Sequence, residues 1–109
     1  MARDKGLEEL LENDLAGTRG LTQKAMFGGM AWLLNGNLLC GAREDGMLVR
    51  LGKGNDAWAL KHRGIEPMVM QGRPMSGWLR ADQSAYGYDA LRSKLLKAAI
   101  EFNRTLPRK

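Results

Sequence analysis

The stretch QKAMFGGMAWLLNGNLLCGAR, residues 23–43, sets two adjacent glycines between Met26-Phe27 and an apolar run. Two readings compete for Gly28 and Gly29. They can cradle a phosphate at a nucleotide site, or they can punctuate a sheet where the backbone bends or runs close to a neighbour. The second half of the stretch favours the sheet. Residues 30–34 and 38–41 are short apolar runs flanking Asn35-Gly36-Asn37. Asn-Gly between two such runs is the strongest short hairpin signal, because both turn residues accept positive φ. Gly28 and Gly29 then stand at the mouth of the hairpin, where a bulge or sharp bend wants a residue free of a Cβ. The nucleotide reading also lacks its motif. A P-loop requires G-x-x-x-x-G-K-[ST]. The nearest approach, Gly46 to Gly52-Lys53-Gly54, has one residue too many between the glycines and a glycine where the hydroxyl belongs.

Glu44-Asp45-Gly46 reads as a second turn and residues 47–51 as a third strand. Short turns of this kind join antiparallel neighbours. Upstream, residues 4–16 read as a helix. Leu7, Leu11 and Leu15 recur at i, i+4 beside Leu10, with Glu8, Glu9, Glu12 and Asn13 facing out and Gly17 and Gly20 ending it. Downstream, Gly54 or Asn55 opens a short helix over residues 56–63 that Gly64 stops. Strands follow around residues 68–70 and 75–79, joined by Gln71-Gly72-Arg73-Pro74, with Pro67 and Pro74 where strand beginnings tolerate proline. A last helix spans about residues 89–105, halted by Pro107. The order α-β-β-β-α-β-β-α predicts an α+β fold in two layers. About five mostly antiparallel strands carry helices on one face.

The 109 residues form one domain, 1–109, with no internal repeat or low-complexity stretch. A composition 44% hydrophobic and 27% charged is that of a folded globular chain. No apolar run approaches the ~20 residues of a membrane span, and the charged residues 1–14 lack the apolar centre of a signal peptide. The single cysteine, Cys40, excludes an internal disulfide framework and fits a reducing compartment. The expected location is cytoplasmic. The net charge of +5 is uneven: residues 1–20 carry three basic and five acidic side chains, residues 84–109 six basic and two acidic. A basic end of this size favours anionic partners, nucleic acid included, and it also keeps a domain soluble.

Lys24-Ala25-Met26-Phe27-Gly28-Gly29, followed by an apolar strand, an Asn-Gly turn and EDGMLVRL, resembles the TfoX N-terminal domain family. HRGIEPMVMQGRPMSGWLRAD, residues 62–82, is similar to the family's later pattern. The resemblance runs from about Leu7 to the last helix. Met26, Phe27, Gly28 and Gly29 are its most specific part, read here as structural. It implies a two-layer, secretion-chaperone-like fold. Two-domain members join this module to a helical domain and regulate DNA uptake in natural competence. The resemblance therefore implies a regulatory or protein-interaction module, and it brings no catalytic residues.

The residues themselves assemble no catalytic set. His62 is the only histidine, so any nucleophilic dyad must pair it with Cys40 or a serine, and Cys40 falls mid-strand where a thiol is usually packing. One Cys and one His are too few soft ligands for a metal, and the twelve acids show no recognisable spacing. No enzyme, cofactor or metal is expected. Trp32, Trp58 and Trp78 read as packing residues rather than base-stacking ones, and Met68, Met70 and Met75 as strand residues filling the core. On the last helix, Tyr88, Leu91, Leu95, Ala99, Phe102 and Leu106 form one apolar stripe. Leu96 and Ile100 fall on a flank, either packed under a neighbouring helix or open as a contact surface, beside a basic face of Lys94, Lys97, Arg104 and Arg108 diluted by Glu101. Lys94, Leu96, Lys97, Ile100 and Arg104 are thus the candidate contact surface. It suits a protein partner of unknown identity or a second copy of the chain. The alternative is weak nucleic-acid binding through the same basic face.

Overall fold

A computed structural model describes residues 4–26 and 28–108. Helix α1 (Lys5–Leu15) opens on Asp4, whose carboxylate accepts the Leu7 N–H at 3.0 Å, an N-cap that satisfies one orphan donor of the first turn. Strands β1 (Leu21–Met26), β2 (Gly29–Leu34), β3 (Asn37–Arg43) and β4 (Gly46–Arg50) follow as a meander. Helix α2 (Ala57–Leu60), strands β5 (Ile65–Met70) and β6 (Arg73–Ala81), the one-turn helix α3 (Gln83–Tyr86) and helix α4 (Asp89–Asn103) complete the order. The sheet runs β1-β2-β3-β4-β6-β5, antiparallel throughout. The fold is α+β, a sheet with helices packed on one face.

The Asn35-Gly36 turn closes β2 onto β3 with Leu34 opposite Asn37. Asn35 has φ 54° and Gly36 φ 85°, the pair of positive values that a type I′ turn demands. The sheet has six strands where the sequence suggests five. The extra strand is β1, and residues 22–25 are exposed on both of its faces, so no apolar alternation marks it. The short α3 is likewise unannounced by periodicity. Helix α2 begins after Asp56 rather than after Gly54 or Asn55, and it is shorter than expected.

One core lies between sheet and helices. Leu7, Leu11 and Leu15 of α1 and Leu95, Leu96 and Ala99 of α4 pack on Trp32, Leu34, Leu39, Cys40, Val49 and Leu79 of the sheet. Burial of each large side chain here contributes roughly 1.5–3 kcal/mol. Glu8, expected to face out, is buried at 8% exposure. Of the tryptophans, Trp32 is buried, Trp58 packs half-buried against the core, and Trp78 lies half-buried under the Arg50 guanidinium, 5.2 Å from its ring centre. Met68 is buried and Met75 half-buried; the Met70 side chain lies outside the described residues.

The buried face of α4 departs from the expected stripe. It comprises Arg92, Leu95, Leu96, Ala99 and Asn103, whereas Tyr88 is 71% exposed. The spacing 92-95-96-99-103 is a regular helical stripe, rotated toward Leu96 because α1 covers that side. Leu96, which the sequence leaves open as either core under a neighbouring helix or contact surface, is only 3% exposed and belongs to the core.

Candidate functional site

The glycine pair resolves first. Met26 pairs with Gly29, so Gly28 lies in the turn between β1 and β2. Gly28 holds φ 74° with open space where a Cβ would point; Gly29 sits where a Cβ would run into the Ala42 backbone carbonyl of β3. One glycine supplies conformation and the other supplies room. Met26 is half-buried at the end of β1, and Phe27 lies outside the described residues.

A buried arginine organises the helical layer. Arg92, 4% exposed, donates through Nε to an Asp14 carboxylate oxygen at 2.6 Å and through Nη1 to the Tyr86 carbonyl at 2.8 Å; its Nη2 lies 2.9 Å from Asp89. Three helices thereby share one cation, and the Asp14 hydrogen bond, with Asp89 assisting, raises the guanidinium pKa further. The Tyr86 hydroxyl donates to Asp4 at 3.0 Å; burial, reinforced by that hydrogen bond, pushes the phenol up to about 12. At the other end of α4, the Asn103 amide nitrogen reaches the carbonyls of Asn37 and Leu38, both at 3.3 Å. The Asn37 side chain in turn donates to the Pro107 carbonyl at 2.9 Å. None of these polar residues is legible as functional from hydropathy. Their only signal is that Arg92 and Asn103 continue the i, i+3, i+4 face of Leu95, Leu96 and Ala99.

Helix α4 rises between two grooves. On the α1 side, a groove of about 410 Å³ is lined by Asp14, Leu15, Ser93, Leu96, Lys97, Ile100, Glu101 and Arg104. Four of the five residues chosen from the sequence therefore come together: Leu96 and Ile100 at the apolar floor with Leu15, and the exposed Lys97 and Arg104 beside them. Lys94 does not join them. It turns to the opposite side and stands 4.5 Å over the Trp58 ring. There a shallower, larger groove of about 840 Å³ is lined by Leu51, Trp58, Ala98, Phe102 and polar residues that include Asn55 and Glu101. His62, Tyr88, Leu91 and Lys94 line an adjoining cleft, with the His62 ring edge-on to Trp58 at 6.2 Å.

Chemistry-bearing residues do not converge in either groove. Cys40 is fully buried in β3, where burial pushes its thiol pKa up, while His62 is exposed after α2. The Ser84 hydroxyl donates to Asp82 at 2.6 Å, and Asp82 also accepts the Ser84 N–H as the N-cap of α3. The hydroxyl bond, helped by the two backbone bonds, holds the Asp82 carboxyl below its usual range despite slight burial. Among the described residues, no group of three His, Cys, Asp or Glu side chains is placed to hold a metal ion. No described helix is long and apolar enough to cross a membrane.

An antiparallel sheet covered on one face by helices, with a glycine-pair turn at β1–β2 and a helix-flanked groove, defines a small α+β domain. Residues 13–103 match the model of the TfoX N-terminal domain, and the chain belongs to that family. Comparison with curated proteins found no match, and comparison with solved structures found none either.

Proposed function

We propose that this chain is a non-enzymatic regulatory module that works by docking a protein partner in the α1–α4 groove. The observation that carries this reading is the groove's lining. Ile100 offers its half-buried side chain over the core residues Leu15 and Leu96, beside two exposed cations, Lys97 and Arg104, while Asp14 on the same rim is committed to Arg92. An apolar contact that gives affinity and a charged rim that gives register is how helical and extended segments are bound. The family resemblance supports a regulatory setting, since two-domain members act in competence. Among the described residues no nucleophile, base and orienting group converge, which favours binding over catalysis.

The test is affinity capture from cytoplasmic extract, with and without nuclease, by the native chain and by Ile100→Glu and the pair Lys97→Glu, Arg104→Glu. A defined protein retained after nuclease treatment and lost in both variants, each with an unchanged melting temperature, supports the reading. Retention unaffected by both variants contradicts it.

One observation favours a second reading, binding of single-stranded nucleic acid. Lys94 stacks on Trp58 next to exposed His62 and Tyr88, with Arg63 exposed nearby, and rings interleaved with cations suit stacked bases and phosphates. Such binding would weaken steeply with salt as counterions are released, and Lys94→Gln would flatten that dependence.

A further inference from the structure

The sheet has two edges, and they are built differently. At the β5 edge, the Asp82 N–H bonds the Gly64 carbonyl, which sets the phase of the β5–β6 ladder. Glu66 then points its backbone groups at β6, and Ile65 and Pro67 point theirs outward. The outward Ile65 N–H is already taken by the His62 carbonyl at 3.3 Å, Pro67 has no N–H to offer, and a bulge interrupts the strand between Pro67 and Val69. Each of these is a recognised way of closing an edge to strand addition.

Strand β1 carries none of these devices. The Asn35 N–H bonds the Gly20 carbonyl at 3.0 Å, so alternation aims the backbone groups of Thr22, Lys24 and Met26 at β2. Those of Leu21, Gln23 and Ala25 aim outward. Among the described residues, nothing pairs with them. The strand LTQKAM holds no proline and a single charge, and its pairing with β2 is regular from end to end. It is an open edge of six residues.

From this asymmetry we infer that β1 is a self-association site, at which two copies of the chain join antiparallel about a twofold axis through Gln23. With β5 closed, strand addition between copies has only β1 to pair with β1, which closes as a dimer instead of growing into a filament. The phase is self-complementary. Gln23 meets the partner's Gln23, and Leu21 meets the partner's Ala25. All of these are outward-pointing residues, so each pair exchanges two hydrogen bonds. Thr22 then faces the partner's Lys24, and no like charges stand directly opposite. Gln23, whose amide already donates to Glu12 of α1 at 2.8 Å, keeps its carbonyl and second N–H free to meet its twin at the axis.

The test is sedimentation velocity over a concentration series, combined with residue-resolved amide exchange. The native chain is expected to show a concentration-dependent monomer–dimer equilibrium. The amides of Leu21, Gln23 and Ala25 should gain protection as the dimer fills, while those of Thr22 and Lys24 are protected at every concentration. Gln23→Pro removes only an outward N–H, so it should weaken association roughly tenfold or more while the β1–β2 ladder survives. Gln23→Lys, which leaves the backbone intact and sets two ammonium groups against each other at the axis, should do the same. A native chain that stays monomeric at its highest soluble concentration overturns the inference. So does a dimer that both variants leave unchanged. Neither outcome bears on the α1–α4 groove, whose test reads a different partner.

Discussion

The Nε of Arg92 lies 2.6 Å from the Asp14 carboxylate, and through this contact the last turn of α1 is tied to the first turns of α4. Arg92 is buried while Asp14 keeps part of its surface in water, so removing the arginine leaves a carboxylate that water can still reach. Arg92→Ala should therefore cost about 3 kcal/mol, at the low end for breaking a buried ion pair. Asp14→Asn, which keeps a hydrogen-bond acceptor for the guanidinium, should cost about 1 kcal/mol. Urea midpoints for the two variants measure the difference, and equal losses would mean the contact is incidental.

The paired glycines should separate by mechanism. Gly28→Ala places a Cβ in open space but at positive φ, a cost of roughly 1–2 kcal/mol. Gly29→Ala drives a Cβ into the Ala42 carbonyl, and backbone gives way less readily than a side chain, so the loss should be larger, about 2–3 kcal/mol. The reverse order in denaturant melts would contradict the turn geometry.

The Asn35-Gly36 turn predicts a third loss. Gly36→Val forces a β-branched residue to φ near the observed 85° and should cost about 1 kcal/mol or more. Gly36→Asn, at a position where asparagine tolerates positive φ, should recover most of it. Thermal melts of the two variants side by side make the comparison.

Alkaline pH should loosen the fold through Tyr86. Its phenol keeps its proton in the folded chain up to about pH 12, whereas an unfolded tyrosine releases it near pH 10. Between those values the folded state binds more protons, so stability falls as pH rises; below about pH 10 the contribution is complete. Tyr86→Phe should flatten that part of the profile while lowering stability at neutral pH through loss of the Asp4 hydrogen bond. An alkaline profile unchanged by the substitution would place the titration elsewhere.

What the sequence could reveal depended on whether burial left a trace in hydropathy. Leu7, Leu11 and Leu15 announced α1, and Asn35-Gly36 announced its hairpin, because periodicity and turn chemistry are local. Strand β1 left no trace, since most of its side chains face water on both sides and only its backbone pairing makes it a strand. On α4 the apolar stripe was read one step out of phase: Arg92 and Asn103 are polar, and it is contacts with other elements, Asp14 and Tyr86 for the one and the start of β3 for the other, that make them core. That same rotation put Leu96 in the core, a placement that the sequence left open between core and contact surface. Lys97, Ile100 and Arg104 stayed beside it, while Lys94 was drawn away by Trp58, a contact between elements that spacing along one helix does not encode.

The most direct measurement of the proposed function is photo-crosslinking in living cells from a reactive residue placed at Ser93 or Lys97 on the groove rim, with Gln71 in the exposed β5–β6 turn as the control position. One discrete protein adduct from both rim positions and none from Gln71, lost when Ile100→Glu is added, is the expected result. No adduct from the rim, or the same adducts from all three positions, would contradict docking in the α1–α4 groove.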